Sequence, residues 1–106
     1  MKTFSVKTRW RTYNDCVLFM DRYAINSHIV LRIFTDEGPL ASLTVNLPET
    51  RRYPNNFGFL DVNNFPEAET VVNSLGIGKE TGILAASGFC VYPLYEFDIE
   101  KIKEMI

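Results

Sequence analysis

Two cysteines, one histidine and no long apolar run set the first limits on this chain of 106 residues. Cys16 and Cys90 stand far apart and in no metal-ligand spacing, so reduced, buried thiols are expected rather than a disulfide framework. No segment approaches the roughly 20 apolar residues of a membrane helix, and Met1-Lys2-Thr3-Phe4-Ser5-Val6-Lys7 lacks the apolar core of a signal peptide. A soluble, cytoplasmic protein is expected. Internal repeats, low-complexity tracts and linkers are also missing, so residues 1–106 read as one domain.

A reaction signature is missing too. Cys90 and His28 are the residue types of a nucleophile and its base. A catalytic thiol, however, draws its low pKa from a helix N-terminus or a nearby cation, whereas Cys90 sits in a strand pattern among aromatics. A metal site built from Cys16, His28, Cys90 and a carboxylate would need ligands converging from unrelated segments. Gly76-Ile77-Gly78-Lys79 has glycines beside a lysine but neither the element order nor the Ser/Thr of a phosphate loop. The expectation is therefore no enzyme, no metal and no cofactor.

What the chain does have is core material. It is 46% hydrophobic and 13% aromatic with 23% charged residues, a globular balance that gives a chain of this length enough surface to bury one core. The net charge of −2 conceals an asymmetry: residues 1–53 hold 8 Lys/Arg against 5 Asp/Glu, and residues 54–106 hold 3 against 8. Opposed charges of this kind suit pairing within the fold or a polarised binding face. A pI near 5.3 argues against general nucleic-acid binding.

Periodicity places the elements. Phe4, Val6, Thr8 and Trp10 alternate with polar residues as one strand, Arg11–Asp15 reads as a turn, and Cys16–Tyr23 is a central strand that Asn26-Ser27 breaks. His28–Thr35 buries Ile29, Leu31 and Ile33, and Asp36-Glu37-Gly38-Pro39 turns it into a return strand through Ala41, Leu43, Val45 and Leu47. Pro48–Asn56 is an exposed irregular loop, and Phe57–Val62 a short strand. A helix follows with Asn64 as N-cap, Phe65, Ala68, Val71, Val72 and Leu75 on one face, and Gly76 as its stop. Residues 77–82 read as a loop. Ile83–Ala86 and Phe89–Phe97 are extended, with Phe89, Val91, Tyr95 and Phe97 on one face, Phe89, Val91 and Phe97 expected in the core, and Pro93 marking an edge or a bulge. Asp98 caps a last helix that docks Ile99, Ile102, Met105 and Ile106. The fold class is α+β, a mainly antiparallel sheet of about five or six strands with two helices packed on one face.

Three blocks carry a resemblance: Leu43-Thr44-Val45-Asn46-Leu47, Phe59-Leu60-Asp61-Val62-Asn63-Asn64, and Ser87 through Phe97 with its Val91-Tyr92-Pro93-Leu94-Tyr95 centre. Together they resemble a bacterial domain-of-unknown-function family, number 4313, of short proteins carried by conjugative transposons and phages, over residues from about 28 to 98. The resemblance implies a genomic setting, not a reaction. Short proteins of mobile elements often bind host machinery, as anti-CRISPR and other anti-defence inhibitors do.

The residues best suited to a contact surface are Arg51, Arg52 and Tyr53, cationic forks beside an aromatic on a loop that two prolines stiffen. Tyr92 and Tyr95 join them if their strand is an exposed edge. The expected activity is non-catalytic binding of a host or element-encoded protein, with no membrane partner. An accessory role in transfer or replication of the element is one alternative. Another is a small enzyme or ligand-binding domain with a site at Asp61 to Asn64, where polar side chains precede a helix start.

Overall fold

Alternating burial builds a first antiparallel sheet from β1 (Phe4–Lys7), β2 (Thr12–Arg22), β3 (Ile29–Thr35) and β4 (Gly38–Ser42), paired in that order in a computed structural model that describes all 106 residues. Ile29, Leu31 and Ile33 are fully buried, as the period-two pattern requires. The β3–β4 hairpin turns at Gly38, whose φ of 121° is open to glycine and strained for other residues.

The first hairpin is set differently from the reading above. Thr8 closes its turn early, accepting at Oγ1 from the amides of Trp10 and Arg11 (3.2 Å each) and donating to the Arg11 carbonyl at 2.9 Å. Trp10 is therefore not inward; it stands 84% exposed at the turn. Thr12–Asp15 is strand rather than turn, and its turn-like composition reflects a bulge. Asp15 takes a φ of 57°, and the register shifts between Phe4 opposite Cys16 and Val6 opposite Tyr13.

A second sheet contains β5 (Thr44–Val45), β6 (Phe57–Leu60), β7 (Gly78–Ser87) and β8 (Cys90–Phe97), in the order β5-β6-β8-β7, all antiparallel. Leu43 joins the sheets: its amide donates to Leu31 of β3 at 2.8 Å, and its carbonyl accepts from Asp61 just after β6 at 2.9 Å. The expected return strand thus divides at Leu43 between two ladders. The α+β, antiparallel class holds, and the strand count is eight in two sheets because the return strand divides into β4 and β5 and the last extended stretch into β7 and β8, while segments 12–15 and 78–82, expected as turn and loop, lengthen β2 and β7.

Crowding explains the strand at residues 78–82. A Cβ on Gly78 would lie 3.0 Å from Phe97 Cδ1 and 3.2 Å from Val72 Cγ1, so this glycine marks close approach of strand and helix rather than a loop. Gly82 has a φ of 83° within a register shift between Glu80 and Leu84. Leu84 lies opposite Pro93, and the β6 ladder ends one residue earlier at Phe59 opposite Leu94, so Pro93 stands next to a bulge that β7 carries and faces no partner on the β6 side. β8 is interior, and β7 forms the free edge.

Past the bulge the β7–β8 hairpin overshoots the core. Phe89, expected inside, is fully exposed on the Gly88 turn, and Val91 is half exposed. Residues 81–95 carry no charged side chain.

Two helices close the core. α1 (Ala68–Leu75) buries Ala68, Val71 and Val72 and ends at Gly76 in the left-handed conformation, φ 68°, as expected. Its start is later than expected. Asn64 is not the N-cap, because Pro66 disfavours helical backbone at Phe65 and Asp61 holds residues 62–64 in a turn. α2 (Ile99–Met105) begins with Asp98 accepting from the Lys101 amide at 3.1 Å and buries Ile102 and Met105, while Ile106 remains outside. One cluster of 17 buried side chains draws on both sheets and both helices, and a small one, Leu47, Phe59, Tyr92 and Leu94, lies on the other face of the second sheet.

Candidate functional site

The chain after Leu47 folds over that outer face. Pro48–Arg52 forms a 3-10 turn, not an irregular loop, pinned by the Leu47 amide donating to Thr50 Oγ1 at 3.0 Å, with Thr50 itself buried. Tyr53 stacks on Phe57 (6.3 Å between ring centres) and meets Phe59 edge-on at 6.2 Å. It is half-buried and props the turn against the sheet. Arg51 and Arg52 point outward.

A second loop, residues 23–28, is knitted to this one. His28, almost fully buried, has Nε2 2.7 Å from the Tyr53 carbonyl oxygen and Nδ1 3.2 Å from that of Asn26. Asn26 accepts from the His28 amide at 3.1 Å and donates Nδ2 to Asn46 Oδ1 at 2.9 Å. Arg22 donates to the carbonyls of Ser27 and Asn55, both at 3.2 Å. These bonds leave little freedom in either loop, so a partner would meet a surface already ordered.

Between the loops lies a groove of about 290 Å³ lined by Ile25, Asn26, Asn46, Leu47, Pro48 and Arg51. Ile25 is 85% exposed at its rim. The two ion pairs of the chain, Arg11–Glu37 and Lys103–Glu100, leave Arg51 and Arg52 without a carboxylate partner. The groove thus combines an unpaired guanidinium, two side-chain amides and exposed aliphatic surface, suited to a carboxylate or main-chain carbonyl next to an apolar side chain. Ile25, Asn26 and Asn46 escaped the sequence reading. The available signal was an aliphatic residue in a turn, Ile25 before Asn26-Ser27.

Tyr92 and Tyr95 do not join this surface. Both are buried on interior β8, on opposite faces of the sheet: Tyr92 in the small cluster and Tyr95 in the large one. The Tyr95 hydroxyl donates to Glu69 Oε1 of α1 at 2.9 Å. Burial, then that bond, pushes its pKa up to about 12. Burial is also the main cause raising the phenol of Tyr23, which meets Thr44 Oγ1 at 3.3 Å.

The other candidate chemistries are not assembled. Both ring nitrogens of His28 face carbonyl oxygens, and Cys90 is half-buried near the β7–β8 turn. Cys16 is fully buried, and desolvation raises its thiol pKa, the opposite of an activated nucleophile. No three of the His, Cys, Asp and Glu side chains converge as a metal site would require. The Asp61 carboxylate is occupied by Asn64, from its amide at 3.2 Å and its Nδ2 at 3.0 Å, the arrangement of a turn cap. A larger cleft of about 460 Å³ beside Asn56, Lys79, Glu96, Phe97 and Asp98 has mixed polar and apolar walls, with Asp98 committed to α2.

No helix is long and apolar enough to cross a membrane. No curated protein and no solved structure matches the chain. A family match does cover residues 17–106, nearly everything after the first hairpin turn, and on it the chain belongs to the family described as a domain of unknown function, DUF4313.

Proposed function

We propose that this chain is a small, non-catalytic protein-binding module that contacts its partner through Arg51, Arg52 and the groove beside Ile25. The supporting observation is that Arg51 and Arg52 lack carboxylate partners on a turn pinned at Leu47 by Thr50 and at Tyr53 by His28. Rigid loops lose little entropy on binding, and arginine beside aromatic and aliphatic surface is the composition of interface hot spots. The partner we assign is a host nuclease complex, inhibited in the anti-defence, anti-CRISPR manner, with the chain carried by a conjugative transposon or phage.

Affinity capture with the chain as bait should recover a defence effector. Arg51→Glu combined with Arg52→Glu should then raise the Kd for the purified effector more than tenfold, a loss of about 1.4 kcal/mol. Recovery of only element-encoded transfer proteins would replace the inhibitor by an accessory factor, and an unchanged Kd would remove the arginines from the interface.

A further inference from the structure

The first hairpin turn lies outside the family match and apart from the Arg51 groove, yet it is the most cationic stretch of the chain. Residues 1–14 contain Lys2, Lys7, Arg9 and Arg11 and no carboxylate. Arg11 is fixed, its guanidinium 4.3 Å from the Tyr13 ring centre and 3.2 Å from Glu37. Lys7 and Arg9 are exposed and unpaired. At the apex the Arg9 guanidinium lies 5.8 Å from the centre of the Trp10 ring, which is 84% exposed. The Thr8 side chain holds this apex with three hydrogen bonds, so the exposure belongs to a defined turn.

From this geometry we infer that the turn binds single-stranded nucleic acid, one unstacked base lying on Trp10 while Lys7 and Arg9 meet the phosphates beside it. The flat face of Trp10 flanked by cations matches a base with its charged backbone. An acidic protein surface would match the charge alone, whereas a nucleotide supplies both a π-face for Trp10 and an anion for the neighbouring Lys7 and Arg9. With a net charge of −2 the chain has no general attraction for nucleic acid. Recognition is therefore local, needs an unpaired base, and is strongly weakened by salt.

Trp10 is the single tryptophan, so its fluorescence reports the site directly. Titration of the full chain with a 12-nucleotide oligothymidylate at 50 mM salt should quench it. Two phosphate contacts predict an apparent Kd that rises roughly 7-fold between 50 and 200 mM salt, from a slope of about 0.7 per contact. Trp10→Ala and Lys7→Glu with Arg9→Glu should each weaken binding at least tenfold when read from the anisotropy of a labelled oligonucleotide. Four results would overturn the proposal: absence of quenching at millimolar oligonucleotide, equal quenching by polyglutamate, which would make the turn an acidic-protein surface, binding to a duplex as tight as to the single strand, or full binding by the double charge reversal.

Discussion

Tyr95→Phe is the most informative single change, because it deletes one oxygen from a filled core. Tyr95 is fully buried and its hydroxyl ties β8 to α1 through Glu69 at 2.9 Å. Hydrogen bonds to charged groups contribute about 1.5–3 kcal/mol. Glu69 keeps partial access to water and can be resolvated in the variant, so a loss of about 1–2 kcal/mol is expected. With an unfolding entropy of roughly 2.1 cal/mol/K per residue over 106 residues, this lowers Tm by about 5–9 °C.

The pH dependence gives the sharper check. Tyr95 titrates at about 12 in the fold against 10.0 for the free phenol. A raised pKa stabilises the fold fully below pH 10, and the contribution is lost as pH rises through 12. At 1.36 kcal/mol per unit, about 1.4 kcal/mol is gone at pH 11, an upper figure because solvent near Glu69 screens the interaction. Urea unfolding of both proteins at pH 8 and pH 11 should therefore show a stability gap that nearly closes at the higher pH. A gap that is absent at pH 8, or unchanged at pH 11, would refute the assigned role of the Tyr95–Glu69 bond.

Two further substitutions test the packing that positions the candidate site. Gly78→Ala forces a methyl against Phe97, Val72 and the Glu96 carbonyl, all within 3.3 Å, and should cost about 1–3 kcal/mol by overpacking, measured as a lower urea midpoint. His28→Ala frees the Tyr53 and Asn26 carbonyls, and amide hydrogen exchange across residues 48–56 should accelerate at least tenfold while β2 and β3 remain protected.

Legibility in the sequence followed the reach of the interactions. Ile29, Leu31 and Ile33 were readable because alternation along one strand determines their burial, and Gly76 and Asp98 because caps act within a single turn. Arg51 and Arg52 were readable as exposed cations in a proline-bounded segment. Nothing local announces that Tyr53 packs on Phe57 and Phe59, because those contacts cross from the turn to the sheet. The same limit hid the strand at residues 78–82, where glycine answers to Phe97 and Val72 across the fold, and the early turn made by Thr8. Phe89 and Val91 were misplaced inside because alternation states which face a residue takes but not where the core beneath that face ends. Tyr92 and Tyr95 depended on sheet order, which the proline alone did not determine between edge and bulge.

The bulge at Gly82 has a consequence for how the molecule behaves in a crowded solution. The first part of β7 carries the exposed charges Lys79 and Glu80, but from Thr81 to Ser87 its outer backbone runs beside an uncharged, partly exposed apolar stretch that includes Leu84, without the charged gatekeepers that usually discourage a stray strand. The kink supplies what composition does not. It divides the free edge into two short pieces, 78–80 and 84–87, that differ in register by the inserted residues. A straight incoming strand can thus follow only about four residues before its hydrogen bonds fall out of step, too few to hold an isolated pair. The break at Gly82 thereby shortens the edge available for strand addition without the use of a side chain.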